Sequence, residues 1–176
     1  MQYRRMWRQG GTFFFTVTLA DRRRALLTEH ITLLREAFRR VKRRHPFELD
    51  AIVVLPEHLH ALMTLPKGDT DYAKRWHLIK SGFSRRLPAT EWRSDSRQRR
   101  RERGIWQRRY WEHLIRDERD FRHHMDYIHY NPVKHGYVNA VKDWPYSSFH
   151  RYVRAGLLPE DWAGLSAEQA TRQYGE

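Results

Sequence analysis

The sequence predicts a single α+β domain of ferredoxin-like order, β-α-β-β-α-β, in which an antiparallel sheet carries helices on one face and a further helix follows. Three observations lead to this prediction. Apolar residues alternate between strand-like and helical spacing in that order, the 176 residues suffice for one core but not for two ordinary domains, and no internal repeat is found. We place the domain at residues 1–155 and a tail at 156–176.

The first strand and the first helix have the clearest patterns. Residues 11–19, GTFFFTVTL, are rich in aromatic and β-branched side chains and predict a largely buried strand. Over residues 29–44, apolar side chains recur at helical spacing with basic residues between them, which predicts an amphipathic helix.

A hairpin, a second helix and a fourth strand complete the sheet. Residues 47–55 and 58–65 predict two strands joined by a turn at Pro56 and Glu57. The helix that follows begins behind an Asp or Thr cap and ends by Pro88. Its apolar stripe is Tyr72, Trp76, Ile79 and Phe83. Residues 88–104 predict a mobile basic loop, and residues 105–115 predict the fourth strand.

The last long helix starts in an acidic stretch, which suits a helix N-terminus. Its inward stripe is Phe121, His124, Met125 and Ile128. We expect it to end near Tyr130, because Asn131 precedes Pro132 and that position disfavours helical backbone. Residues 143–153 predict a short helix.

The charge points to a polyanionic partner. The formal net charge is +13, and 28 of the basic residues are arginines against six lysines. Arginine pairs two phosphate oxygens and stacks on bases, so nucleic acid is favoured over a merely solvated basic surface or an anionic membrane. The absence of cysteine excludes disulfides and thiolate sites. With no long apolar segment, we expect a cytoplasmic, nucleoid-associated protein without membrane partners.

Two histidines interrupt the apolar strand at 58–65. Residues two apart on a strand share a face, so His58 and His60 point the same way and can converge on one divalent cation. A pair of ordinary hydrogen-bonded histidines is the alternative. Downstream, helical spacing predicts Tyr127 at the margin of its helix's apolar stripe, near Asn131, where its ring would be anchored and its hydroxyl would point out of the core. An ordinary packing tyrosine with a solvated hydroxyl is the alternative.

Four stretches together resemble a known family: GGTFFFTVTL, AIVVLPEHLHALMTLP, the segment from WQRRYWEHLI to HYNPVKHGYV, and WPYSSFHR. They resemble the HUH single-strand nucleases and, more narrowly, the REP-associated tyrosine transposases, over most of residues 1–155. The resemblance implies that His58 and His60 bind a catalytic Mg²⁺ or Mn²⁺ and that Tyr127 is the nucleophile. Tyr130 is excluded because the family pattern puts the tyrosine four residues before an amide residue, here Asn131.

The resemblance leaves the third metal ligand open. Insertion-sequence relatives have glutamine at this position, whereas this chain has the shorter Asn131, so His124 or water are alternatives to it.

The resemblance also implies a partner, single-stranded DNA that folds into a REP-type hairpin with a guide tetranucleotide beside its 5′ foot. Monomer and homodimer both stay open. Candidates for DNA contact are Arg4, Arg5, Arg22, Arg23, Arg97, Arg99, Arg100, Arg101, Arg103 and Trp144.

The function predicted in this way is strand cleavage and transfer, with attack by Tyr127 leaving a 5′-phosphotyrosine and a free 3′-hydroxyl. Two other classes remain: a binding protein on the same scaffold that does not cleave, and a metal hydrolase that uses water and leaves no protein-linked product.

Overall fold

The computed structural model describes residues 11–162, and its elements follow the predicted order. The strands are β1 (Thr12–Thr18), β2 (Glu48–Val54), β3 (His58–Thr64) and β4 (Trp111–Leu114). The helices are α1 (Leu26–Glu29), α2 (Ile31–Arg44), α3 (Tyr72–Ser84), α4 (Asp95–Arg99), α5 (Glu118–Lys134) and α6 (Phe149–Arg154), with a 3₁₀ turn at Val141–Asp143. Arg4 and Arg5 lie outside the described residues.

The four strands form one antiparallel sheet in the order β2-β3-β1-β4, which confirms the ferredoxin-like prediction. The fourth strand is shorter than predicted. Only residues 111–114 pair continuously with β1, while Trp106 makes an isolated bridge to Leu19. The histidine strand β3 lies between β1 and β2, so its backbone is fixed on both sides.

The sheet separates two apolar cores. Helices α2 and α3 cover one face, where Phe15, Leu59 and Trp76 are buried. Helix α5 covers the other face, where Phe121 and Ile128 pack against strand residues. This agrees with the prediction of helices on one face and a tyrosine-bearing helix added to the fold.

Helix α5 extends four residues beyond the predicted end at Tyr130, which corrects that prediction. Pro132 has no N–H and so gives up its own helical hydrogen bond, yet the chain keeps helical geometry for a further half turn. The N–H of His135 then donates to the carbonyl of Asn131 at 3.0 Å. Asn131 therefore lies inside the helix, on a rigid element.

Residues 88–104, which we predicted as a mobile loop, contain α4 and are held to the domain. Ser94 caps α4 by accepting from the N–H of Arg97. The Arg103 guanidinium pairs with Glu91 and donates to carbonyls at the end of α3, including that of Ser84 at 2.6 Å. The prediction rested on the low apolar content and the run of arginines, which do not show that Arg103 binds the carbonyls that a helix C-terminus leaves unpaired.

The chain passes the predicted domain boundary without leaving the core. Leu157 and Leu158 pack against the apolar residues beneath α5, and the N–H of Leu157 donates to the carbonyl of Tyr152 at 2.9 Å. Between residues 11 and 162, no helix has the length and apolar character needed to cross a membrane.

Candidate active site

His58 and His60 lie side by side on the sheet face that α5 covers. Their ring centroids are 4.9 Å apart, and they are only 3% and 1% exposed. Their neighbours Leu59 and Ala61 belong to the core on the opposite face. The face assignment made from the spacing of two residues is thus confirmed.

One nitrogen of each ring is already bonded. His58 Nδ1 lies 2.9 Å from Glu57 Oε1, and His60 Nδ1 lies 2.9 Å from Thr16 Oγ1. When Nδ1 donates the proton, the lone pair is left on Nε2, which is the atom that can bind a metal. His60 Nε2 is buried and has no hydrogen-bond partner among the described residues. An unpaired buried nitrogen is costly unless something binds it.

Burial keeps His60 in the neutral form that a metal ligand requires, and Glu57 adds a negative charge beside the pair. Burial, and after it the proximity of His58, lowers the pKa of His60 well below its usual value, so the ring stays neutral near pH 7. Burial alone would raise the pKa of the Glu57 carboxyl, but the adjacent His58 ring and hydrogen bonds outweigh it and the net shift is downward. Tyr137 donates a further hydrogen bond to Glu57 at 3.3 Å. Glu57 is therefore an ionised acceptor.

Tyr127 points from α5 toward the histidine pair. Its ring meets His60 edge to face at 5.1 Å between centroids and Phe14 at 5.9 Å. The Nζ atom of Lys134 lies 4.9 Å from the centre of the Tyr127 ring. At 6% exposure the residue is more buried than the predicted margin position, because Phe14 and His60 fill the sheet surface beneath it. The ring is firmly anchored.

Asn131 and His135 continue the Tyr127 face of the helix at intervals of four residues. Asn131 is fully buried, and neither of its amide atoms has a hydrogen-bond partner within residues 11–162. The ring centroid of His135 lies 5.4 Å from that of His58. Sequence reasoning missed His135. The four-residue spacing was the available signal, but it counts only if the helix continues past Pro132.

His124, the other alternative ligand, lies with a second group of side chains. Its Nδ1 is 2.8 Å from the carbonyl oxygen of Asp120, and its ring stacks on His113 at 4.9 Å. Phe14 contacts His124 at 4.6 Å and His60 at 5.5 Å, so it lies between the two groups. The described part of the chain has one cluster of histidine and carboxylate groups whose ligand atoms all lie within 4.8 Å of one another, and it consists of His113, Asp120 and His124.

The Asp120 carboxylate is the centre of that cluster. It receives the backbone N–H of Arg116 at 3.1 Å and lies 2.8 Å from His113 Nε2. Burial raises its pKa, but these hydrogen bonds and the nearby cations lower it to about 2. A carboxylate so fully bonded anchors the start of α5 to β4.

The arginines predicted to contact DNA fall into two groups. Arg22 and Arg23 are exposed, although Arg22 lies 3.7 Å from Glu57 and Arg23 pairs with Asp21 at 2.9 Å. Three further residues, Arg99, Arg100 and Arg101, are exposed on and after α4. These side chains are accessible to a phosphate backbone.

The other predicted contacts have structural partners. Arg97 donates to the Trp106 carbonyl at 3.3 Å, and Arg103 holds the end of α3. Trp144 is half-buried and donates its Nε1–H to the carbonyl of Val54 at 3.0 Å. The packing role of these three residues is clear, and their contact with DNA stays a prediction.

Comparison with known proteins gives concordant matches. The family model described as Transposase IS200 like matches residues 13–131. A REP-associated tyrosine transposase of Escherichia coli K12 is 51% identical over 163 residues, which are 93% of this chain and 91% of that protein. A protein of Haemophilus influenzae, named as a candidate transposase of the same kind, is 54% identical over 164 residues, 92% of this chain and 93% of its own.

A solved structure agrees with these matches. It is that of a REP-associated tyrosine transposase bound to a REP hairpin, and it superposes with a TM-score of 0.76 at 51% identity. The match covers 93% of this chain and 92% of that chain.

Proposed function

The chain belongs to the IS200-like transposase family and, within it, to the REP-associated tyrosine transposases, and from this premise we propose that it cleaves and rejoins single-stranded DNA at a REP-type hairpin through Tyr127. Its fold is the HUH nuclease fold. The observation that supports the proposal is the packing of the Tyr127 ring on His60, at 5.1 Å, on a sheet face with an unpaired buried nitrogen.

A divalent cation fits the donors at this place. His58 and His60 would supply their Nε2 atoms, since both Nδ1 atoms are bonded. Asn131 would supply its amide oxygen, which is buried and unpaired. Two imidazoles and an amide oxygen, completed by water, suit Mn²⁺ or Mg²⁺. When bound, the ion neutralises charge on the scissile phosphate and orients it.

The remaining chemistry falls to side chains of this protein. The Tyr127 phenol oxygen attacks phosphorus, a bond forms between them, and the bond to the 3′ oxygen of the preceding nucleotide breaks. The phenol proton passes to solvent water, and the 3′ oxygen takes a proton from solvent and leaves as a hydroxyl group. Lys134, beside the Tyr127 ring, favours the phenolate over the phenol by its charge. One ester replaces another, so a 3′-hydroxyl can reverse the step.

A denaturing gel tests the proposal directly. The protein is incubated with Mn²⁺ and a labelled single-stranded DNA that forms a REP-type hairpin. We expect a band of protein-linked DNA. Binding without cleavage would instead indicate a scaffold that only recognises the hairpin, and cleavage without linkage would indicate a hydrolase that uses water.

Glu57 is expected to strengthen metal binding through His58. Glu57→Gln keeps the shape but removes the charge that holds the His58 Nδ1 proton, and partners of metal-binding histidines contribute about 10- to 100-fold in affinity. We expect the Mn²⁺ concentration for half-maximal cleavage to rise by roughly that factor.

Tyr137→Phe is the matched control for Glu57→Gln, since it removes only the longer hydrogen bond to the same carboxylate. Its effect should be small. Equal Mn²⁺ requirements for wild type and Glu57→Gln would show that Glu57 does not act on the histidine.

The exposed arginines on and directly after α4 are expected to bind DNA phosphates. Replacing Arg99, Arg100 and Arg101 together with glutamine should weaken hairpin binding and reduce the slope of log affinity against log salt. The expected reduction is up to about 0.7 to 0.9 per lost phosphate contact. Fluorescence anisotropy over a salt series measures this slope.

The control removes the same charge from another surface. Arg39, Arg40 and Arg43 are exposed on α2, which covers the face opposite Tyr127. Their replacement by glutamine should change the slope less. Equal slopes for the two triple variants would mean that α4 contributes only to the general charge.

A further inference from the structure

The edge strand β4 presents an exposed tryptophan on the face of the histidine pair. Trp111 is 54% exposed, although tryptophan is usually well buried. Thr16 of β1 pairs with His60 on one side and with Trp111 on the other. The three residues thus form a row across the sheet, and with strands about 4.8 Å apart the backbone of Trp111 is about 10 Å from that of His60.

The Trp111 ring is held in place by other rings. It lies parallel to His113, with 2° between the planes and 5.8 Å between centroids, and it meets the edge of Phe14 at 5.6 Å. His113 stacks in turn on His124 and is tied to Asp120 at 2.8 Å. Trp111 is therefore the exposed end of a fixed series of rings, and a ligand that stacks there need not order it first.

The surroundings favour nucleic acid over protein as the occupant. Arg116 is exposed and donates to the Asp120 carboxylate that also holds His113, so a guanidinium lies close to this series of rings. Leu114, the other exposed apolar residue of the strand, pairs with Phe13 and faces the opposite side of the sheet. The exposed apolar area is therefore not one continuous patch, as a docking protein would need. An exposed aromatic ring beside an arginine is a common platform for an unpaired base.

We propose that Trp111 stacks on an unpaired base of the DNA strand beside the scissile phosphate. The inference rests on the proposed function, since it takes the histidine pair as the position of that phosphate. Every base has a face that can stack, so Trp111 would fix the path of the strand and not read its sequence.

The test measures whether the loss of one base and the loss of the Trp111 ring have non-additive effects on hairpin affinity. A fluorescein-labelled hairpin with REP-type stem and single-stranded foot is bound in EDTA, so that no cleavage is needed, and an abasic site is placed at each unpaired position in turn. We expect one position to weaken wild-type binding by about 5- to 150-fold, the contribution of one stacked base. In Trp111→Ala the same position should have little further effect, because the partner is already missing.

Two variants separate stacking from general damage. Trp111→Phe keeps a ring and should retain most of the dependence on that position. Leu114→Ala alters the same strand on the opposite face and should leave it unchanged. If the abasic site weakens binding equally in wild type and in Trp111→Ala, Trp111 does not stack on that base. The proposal also fails if the Trp111 and Leu114 variants both lose a dimer and this loss accounts for their weaker binding.

Different results would refute the stacking of Trp111 on a base and the proposed function. If the wild type forms the covalent adduct but the abasic site and Trp111→Ala act additively on binding, the proposed function stands and the stacking proposal is wrong. If the coupling is present at a nucleotide remote from the cleaved bond, Trp111 binds DNA but not beside the scissile phosphate, and the inference is also wrong.

Discussion

Tyr127→Phe is expected to abolish the covalent adduct while leaving the fold and hairpin binding in place. Phenylalanine keeps the ring that packs on His60 and Phe14 and that faces the Lys134 ammonium group, so only the attacking oxygen is lost. Loss of a nucleophile lowers turnover by at least about a thousandfold, which in a gel assay means no adduct. Melting temperature and hairpin affinity should match the wild type.

Tyr130→Phe is the matched control, because it removes a hydroxyl from the same helix three residues away. Tyr130 is half-buried and lies about 60° around α5 from Tyr127, on the side away from Asn131. The adduct should persist in this variant. Peptide mass spectrometry of the trapped adduct would decide the matter, and DNA attached to Tyr130 would refute the assignment.

The parts of the site that the sequence predicted depend on local geometry. Because strand residues alternate between faces, His58 and His60 share a face independently of the rest of the chain, and the structure confirms this assignment. The helical stripe that contains Phe121 and Ile128 was likewise readable, because each residue's direction follows from the helix alone.

The parts that could not be predicted depend on contacts between distant segments. Glu57 looked like a turn residue, and only the fold shows it bonded to His58 and close to Tyr137 and Arg22. Arg103 was one of several arginines predicted to contact DNA, and only the fold shows that it binds carbonyls at the end of α3. Periodicity has no information about such partners.

His135 shows a different limit, a local rule overridden by its context. The residue before proline usually leaves the helix, so ending α5 near Tyr130 was the natural expectation. Instead the helix runs to Lys134, and Tyr127, Asn131 and His135 share one face. The helix therefore continues past Pro132 despite the lost hydrogen bond, and this extends the helix surface that faces the histidine pair.

Replacing both histidines, His58→Ala and His60→Ala, is expected to abolish metal-dependent cleavage without abolishing hairpin binding. The basic surface supplies most of the affinity for DNA, whereas the metal supplies chemistry. Both rings are buried, so alanine leaves cavities. A second variant with leucine at both positions keeps more of the volume and has no ligand atom, and the two should lose cleavage alike.

A measurement without DNA locates the metal independently of activity. Mn²⁺ that binds only the folded protein raises the melting temperature, and the stabilisation grows with the ratio of its concentration to Kd. We expect this rise in the wild type and in His124→Gln, and no rise in either double variant. His124→Gln matters because His113, Asp120 and His124 also bring ligand atoms within 4.8 Å of one another. A rise that survives in the double variants but disappears in His124→Gln would move the metal to that second cluster, beyond Phe14 and away from Tyr127, and the histidine pair would then be structural.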